Sequence, residues 1–263
     1  MIGAMRQNER QQRVLERLMA GGSATVVELA GDLGVTQSTI RRDLQLLAEE
    51  GRLVRTYGGA AVTGPAPVGS NDATADAKRR IGRLASTLVV DGQTIVIGSG
   101  STAIEFARCI ADRRLTVITN ALDVANMLVD REGIELIILG GVVRPRMHSL
   151  LGHLAELATR ELRADTLFMG IGAVSLHHGL MNDSVPEILT DRALRRMART
   201  VVVLADSSKF EHVEAGFVFG LDEVDVLVTD TPPRPADAAG LEAAGVRVLV
   251  APTGGPSGRE ERP

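Results

Sequence analysis

An α/β chain of two unequal domains is predicted: a small helical head with a trailing hairpin, then a larger, mostly parallel α/β body. Three observations predict it. Helical patterns separated by a single glycine precede a short β-rich run near the N-terminus. Seven apolar β-rich runs alternate with helical patterns through the rest of the 263 residues. Between the two lies "VTGPAPVGSNDATADA" (62–77), rich in Gly, Pro, Ser and Asn and without periodicity, which reads as a linker.

The head (1–61) is read from its caps. Val14, Leu15 and Leu18 recur at helical spacing over residues 8–20, and Gly21-Gly22 closes that helix. Thr25 and Glu28 make a capping-box pattern, opening a second helix that turns Val26, Leu29, Ala30 and Leu33 inward and ends at Gly34. Thr36 caps a third helix, ended by Gly51, with Ile40, Leu44 and Leu47 on its apolar face. Thr36, Gln37, Ser38, Thr39, Arg41, Arg42 and Gln45 remain at its start and on its polar faces. Arginine brings charge for phosphates and a planar fork for guanine edges, and Gln and Ser bond base edges, so this is what a recognition helix needs in a DNA major groove. The run "RLVRTYGGAAV" predicts a hairpin whose Arg52 and Arg55 grip the DNA backbone as a wing. A helical cap with a solvated charged face is the plainer reading of the same arginines.

Bulk numbers agree with a DNA-binding head on an acidic body. The formal net charge is -4, yet residues 1–60 hold eight arginines against seven acids. No Trp and one Tyr argue against base stacking on an aromatic platform. Cys109 is the only cysteine, which forbids an internal disulfide and agrees with a reducing compartment. No apolar run approaches the ~20 residues that span a bilayer, and the N-terminus lacks the apolar core of a secretion signal; the expected address is the cytoplasm, away from membrane.

In the body (78–251) the runs "TIVIG", "LTVIT", "IELIIL", "TLFMGI", "TVVVLA", "VDVLVT" and "VRVLV" imply a mostly parallel sheet buried on both faces. The tail 252–263 is expected to be disordered. Open sheets of this kind bind ligands at the carboxyl ends of their strands. There Gly98-Ser99-Gly100-Ser101-Thr102 joins a strand to a helix, so that amides, helix dipole and hydroxyls converge as for a phosphate. A glycine-rich turn is also an ordinary connection, and this one is neither a Walker loop nor a Gly-x-Gly-x-x-Gly dinucleotide pattern. Thr119-Asn120, Gly140-Gly141 and Asp206-Ser207-Ser208-Lys209 end further strands. With 27 arginines and only two lysines, the chain has kept Lys209 for a contact that a compact ammonium makes better; a surface lysine is the alternative. Lys78 is expected to cap or pair at the surface, a domain-closing contact being the other reading. Glu187 either opens a helix at its positive end or faces the ligand. The candidate ligand residues are therefore Gly98, Ser99, Gly100, Ser101, Thr102, Thr119, Asn120, Gly140, Gly141, Glu187, Asp206 and Lys209. His148, His153, His177, His178 and His212 lack metal-ligand spacing, and neither a Gly-x-Ser-x-Gly elbow nor a reactive-cysteine setting is present. Cys109 reads as core, and no metal, cofactor or catalytic residue is expected.

From about residue 6 to about residue 251, the chain resembles the DeoR family of bacterial sugar-metabolism regulators. The likeness is carried by "TIRRDL" with its trailing "GGA", then "IVIGSGSTAIEFA", "LTVITN", "IELIILGGVVR", "SLLGHLAE" and "VVVLADSSKF". It implies a winged helix-turn-helix domain followed by a Rossmann-like, mostly parallel α/β effector domain. It further implies a repressor or, less often, an activator of carbohydrate-metabolism genes, bound to double-stranded operator DNA and controlled by a phosphorylated sugar or related metabolite. Two half-sites on DNA would require a homodimer or homotetramer.

That effector domain is similar to ribose-5-phosphate isomerase, which shares the turn at 98–102 and the motif at 206–209. The isomerase's paired aspartates and a further lysine are missing from "LFMGIGAVSLHHGLMNDSVPE", while Glu187 holds the place of its catalytic glutamate. Moving a proton between adjacent carbons through an enediolate needs those groups, so the resemblance implies binding without turnover. A sensor rather than an enzyme is expected; the alternative is an isomerase-like enzyme with an appended DNA-binding head. Many family members have Asp in place of Gly98, and Thr-Thr-Pro-Asp in place of Met181-Asn182-Asp183-Ser184, so both places are expected to touch the ligand's variable end.

Overall fold

The expected caps and turns of the head produce α1 (Gln7–Gly21), β1 (Ser23–Thr25), α2 (Val26–Leu33), α3 (Gln37–Glu49), β2 (Leu53–Thr56) and β3 (Gly59–Val62) in the computed structural model. It describes residues 7–21, 23–49, 53–56, 59–62, 72–145 and 147–253. They divide into two units between Asn71 and Asp72. The Thr25–Glu28 capping box closes in both directions, and α2 ends at Gly34 in the left-handed conformation. Val14, Leu18, Leu29, Ile40, Leu44 and Leu47 share one apolar core. Arg10 braces α1 against α3 through two bonds to buried Asp43, at 2.5 and 3.1 Å. The expected hairpin forms, with β3 also pairing antiparallel to β1 in a three-stranded sheet.

The linker expected over 62–77 overlaps regular structure at both of its ends. Val62 still pairs with Leu53, and a helix begins at Asp72, because Ala73, Ala75 and Ala77 favour helix and the leading Asp suits its positive end. Residues 63–71 lie outside the described residues, as do 254–263 of the expected tail.

The body runs α4 (Asp72–Ser86), β4 (Thr94–Ile97), α5 (Ser101–Ile110), β5 (Leu115–Thr119), α6 (Leu122–Leu128), β6 (Ile134–Ile138), β7 (Val142–Arg144) and β8 (Ser149–Leu151). It continues with α7 (His153–Glu161), β9 (Ala164–Gly170), β10 (Ala173–Ser175), β11 (Gly179–Asn182), α8 (Val185–Met197), β12 (Ala198–Leu204), β13 (Gly216–Phe219), β14 (Val226–Thr229), α9 (Pro235–Ala243) and β15 (Arg247–Val250). The seven apolar runs are the seven strands of one parallel sheet, ordered β15-β14-β12-β9-β4-β5-β6. Successive residues serve opposite faces, so Val96 enters one core and Ile95 and Ile97 the other. Phe106 of α5 stacks on Phe168 of β9 with ring centroids 4.2 Å apart, a pairing that contributes about 1 kcal/mol beyond its buried area.

This topology fixes where a ligand can sit. The chain adds β5 and β6 on one side of β4, then returns to place β9 on the other, so the connections after β4 and β9 diverge and leave a crevice at the carboxyl edge. After β6 the β7–β8 hairpin turns back over that edge. Gly141 permits the turn: its φ is 139°, and a Cβ there would stand 2.5 Å from the Leu151 carbonyl oxygen.

Candidate functional site

The glycine-rich turn stands at the crevice. Gly98 donates its N–H to the Phe168 carbonyl at 2.9 Å, and α5 opens at Ser101 with no side chain bonded at its cap. Its first amides and the exposed Ser101 hydroxyl therefore face the carboxyl edge, while Thr102 is buried.

α4 and α5 both return from the carboxyl to the amino edge, so they run parallel, and they pack so closely that a Cβ on Gly82 would lie 2.7 Å from the Glu105 carbonyl carbon. One helical turn earlier on each helix stand Lys78 and Ser101, both toward the carboxyl edge. Arg80 fixes this end of α4 to the sheet through the carbonyls of Asp230 and Ala251, at 3.2 and 3.1 Å. Lys78 is not the surface residue expected: it is only 9% exposed, and its ammonium makes no hydrogen bond or ion pair among the described residues. Burial pushes it below the ordinary lysine value, the charge of Asp206 opposing and that of half-buried Lys209 adding to the effect. The chain's only two lysines, from elements 131 residues apart in sequence, thus lie near enough at the carboxyl edge for each to feel the other's charge. Asp206 is buried and turned to the backbone, where its carboxylate accepts the Ser208 amide at 3.1 Å and the Ser208 hydroxyl. Asp230 likewise accepts the Ser207 amide at 2.7 Å.

Glu187 lies in the first turn of α8, as one of its expected readings has it, and is buried against the glycine-rich turn. Oε1 accepts from Ser99 Oγ at 3.2 Å and Oε2 from Arg144, which also donates to Asp183 at 3.4 Å. Burial raises the Glu187 value, against the Arg144 charge and the Ser99 bond. One turn further along α8, Asp191 is pushed up to about 8 by burial and by the neighbouring Glu187 charge. Asn182 holds it, donating to Asp191 Oδ2 at 2.7 Å while accepting the Gly172 amide at 2.7 Å.

Other expected ligand residues support the edge. Thr119 Oγ1 donates to the Ile97 carbonyl at 2.7 Å and accepts the Ala121 amide at 3.0 Å, so its hydroxyl is committed to backbone. Asn120 donates to the Leu150 carbonyl at 3.3 Å, which seats the β7–β8 hairpin, and its buried Oδ1 has no partner among the described residues. Gly140 and Gly141 launch that hairpin. Cys109 is exposed, correcting its reading as core: the buried face of α5 comprises Thr102, Ala103, Phe106, Ala107 and Ile110, and position 109 falls on the other side.

In the head, Thr36 Oγ1 accepts the Thr39 amide at 3.3 Å and meets the Ser38 and Thr39 hydroxyls at 2.9 Å each, as a cap should. Gln37, Ser38, Arg41, Arg42 and Gln45 are exposed on α3, opposite Ile40, Leu44 and Leu47. Arg41 donates to Gln37 Oε1 at 3.2 Å. Arg55 belongs to β2, whereas Arg52 lies outside the described residues.

Residues 10–65 match the DeoR-like helix-turn-helix domain, and residues 73–231 match the DeoR C terminal sensor domain. The chain belongs to the DeoR family. Like other DeoR members it is a DNA-binding transcriptional regulator rather than an enzyme. It is 30% identical over 251 residues to the HTH-type transcriptional repressor GlcR of Bacillus subtilis (strain 168), covering 94% of this chain and 97% of that one. It is also 30% identical over 234 residues to the glycerol-3-phosphate regulon repressor of Escherichia coli (strain K12), covering 87% and 93%. Among solved structures, ribose 5-phosphate isomerase a from Methanocaldococcus jannaschii aligns at 24% identity over 54% of this chain and 55% of that one, with a TM-score of 0.40.

Sequence reasoning missed Arg144, Asp191 and the burial of Lys78 in this DeoR sensor. Two had a signal. Lys78 lies one position from Ala77 and three from Ile81 on the apolar stripe of α4, and Asp191 lies three residues from both Ile188 and Leu194. Arg144, in a three-residue strand, had none.

Proposed function

We propose that this regulator is a repressor of carbohydrate-metabolism genes whose operator affinity is set by a phosphorylated sugar or related metabolite. The phosphate sits at the uncapped start of α5, with Lys78 and Lys209 completing its cradle, and the polyol end points toward Glu187. The observation that carries this reading is the burial of Lys78 within electrostatic reach of Lys209, beside the uncapped start of a helix at the carboxyl edge. Two ammonium groups that feel each other's charge, one of them buried with only the Asp206 charge to offset its desolvation, are stabilised further when a dianion lies between them. The relative named for a glycerol-3-phosphate regulon adds support from a phosphorylated three-carbon compound.

The amides at the start of α5, from Gly100 to Thr102, and the Ser101 hydroxyl serve the phosphate, while Gly98 ties the turn to β9 and Ser99 ties it to Glu187; Glu187 accepts sugar hydroxyls; Asp206 orients the loop that bears Lys209; and Thr119, Asn120, Gly140 and Gly141 hold the edge and its hairpin. α3 enters the major groove with Gln37, Ser38, Arg41, Arg42 and Gln45, and Arg52 and Arg55 contact the backbone. Paired half-sites call for a homodimer or homotetramer, acting in the cytoplasm. The effector controls operator affinity only by binding the DNA-free and DNA-bound arrangements unequally.

A thermal-shift panel of sugar phosphates and their unphosphorylated sugars tests the reading. A phosphorylated compound at 100 times its dissociation constant should stabilise the chain by about 2.7 kcal/mol. No shift with any phosphate, or equal shifts with the parent sugars, removes it.

A further inference from the structure

The amino edge of the body sheet carries a second basic site. α7 ends at Glu161 just before β9, α8 ends at Met197 just before β12, and β9 and β12 are paired neighbours, so the two connections lie side by side. Between them is a cleft of ≈ 340 Å³ lined by Thr159, Arg160, Arg163 and Arg196 and by no carboxylate.

Helix ends account for part of this charge. The C-terminal end of a helix favours a cation, and Arg163 serves α7 by donating to the carbonyls of Arg160 and Leu162 at 2.9 and 2.7 Å. Arg195 serves α8, donating to the Ala198 carbonyl at 3.4 Å, and pairs with Glu223 at 3.5 Å. Thr159 Oγ1 is spent on the Glu156 carbonyl at 2.7 Å. Arg160 and Arg196 are left over: their guanidinium groups make no hydrogen bond or ion pair among the described residues. Three arginines line one hollow with no carboxylate in its lining, so an anion there would gain charge-assisted bonds from them.

We propose that this cleft binds a compact anion with two or more phosphate groups, either inorganic or the phosphate tail of a nucleotide. Three cations suit more charge than one phosphate brings, and guanidinium forks match phosphate oxygens in pairs. The volume is at the small end of ligand pockets. Its place at the amino edge, opposite the carboxyl edge that holds Lys78 and Lys209, allows both sites to be filled at once.

Calorimetric titration of the full chain with inorganic pyrophosphate tests this, with variants alongside. Arg160→Gln with Arg196→Gln should weaken binding about tenfold or more, since each loses a charge-assisted contact. Both residues are exposed, so the fold is retained. The same Arg160/Arg196 change made in a Lys78→Ala with Lys209→Ala background, which removes anion binding at the carboxyl edge, should weaken the remaining binding to the same degree. Arg108→Gln with Arg131→Gln, which removes two exposed arginines elsewhere, should leave pyrophosphate binding unchanged. The proposal fails if the Arg160/Arg196 change leaves binding intact in either background, if the Arg108/Arg131 variant loses binding equally, or if orthophosphate or an acidic peptide binds as tightly as pyrophosphate. ATP that competes with pyrophosphate identifies a nucleotide as the source; ATP that does not compete identifies the inorganic anion.

Discussion

Ser99 Oγ donates to Oε1 of Glu187 at 3.2 Å, so one buried carboxylate is shared between the glycine-rich turn and Arg144 of the hairpin, which holds Oε2. Removing the arginine alone leaves that charge buried with one weak partner. Arg144→Ala should therefore lower stability by about 1–3 kcal/mol, the loss expected when a charged hydrogen-bond partner is removed. Adding Glu187→Gln should restore part of that loss, because the uncompensated charge goes with it. Chemical unfolding of the two single variants and the double variant measures this, and strict additivity would mean that the pair does not interact.

Lys78 and Lys209 give a pH-dependent prediction. Burial holds Lys78 below the ordinary lysine value, the Asp206 charge opposing and Lys209 adding to the effect, and a bound phosphate would raise it again. The protonated form binds the anion better, so effector affinity should be full below the lowered Lys78 value of the free chain and decline as pH rises through it, with protons taken up on binding. Calorimetry in buffers of different ionisation enthalpy reads that uptake directly. Lys209→Ala and Lys78→Ala should each weaken effector binding about tenfold or more while leaving operator affinity without effector unchanged.

Asp191 titrates in the opposite sense to a salt-bridged carboxylate. Its value is raised to about 8 in the folded chain, so the folded state holds a proton that the unfolded state gives up near pH 4. The unfolded state thus binds fewer protons between about pH 4 and pH 8, and stability should fall as pH rises through that window. Asp191→Asn keeps an acceptor for Asn182 but cannot ionise. The variant should gain on wild type steadily from pH 5 to pH 8, visible as a melting-temperature difference that widens with pH. A constant difference would mean that Asp191 is not the group responsible.

The fold was legible because it is written in short-range patterns. The capping box at Thr25 and Glu28 and the seven apolar strand runs each depend on neighbours in sequence, and each formed where its residues said. Of the candidate site, only the strand ends were marked in the sequence. Lys78 and Lys209 come within electrostatic reach through the packing of α4 on the sheet, and Arg144 reaches Glu187 because a hairpin turns back over the edge; neither approach leaves a local mark. The linker was misjudged at Asp72 because Gly, Pro and Ser composition before it masked a helix start that alanines sustain. Cys109 was misjudged because a helix inside an apolar segment still has an outer face.

Arg41 and Gln37 are joined on the exposed face of α3, the arginine donating to the glutamine at 3.2 Å. That bond limits the arginine's rotamers before any DNA arrives, and a pre-ordered fork loses less freedom on meeting a guanine edge. Arg41→Ala should weaken binding to a DNA fragment selected by the wild-type chain by about 1–3 kcal/mol and relax preference at one base pair. Gln37→Ala should weaken it less. Arg108→Ala, which removes an exposed arginine from the body, should leave affinity unchanged. Gel-shift titrations at one fixed salt concentration compare the three variants, since affinity for DNA changes steeply with salt. Equal affinities for the Arg41 and Arg108 variants would take α3 out of the groove.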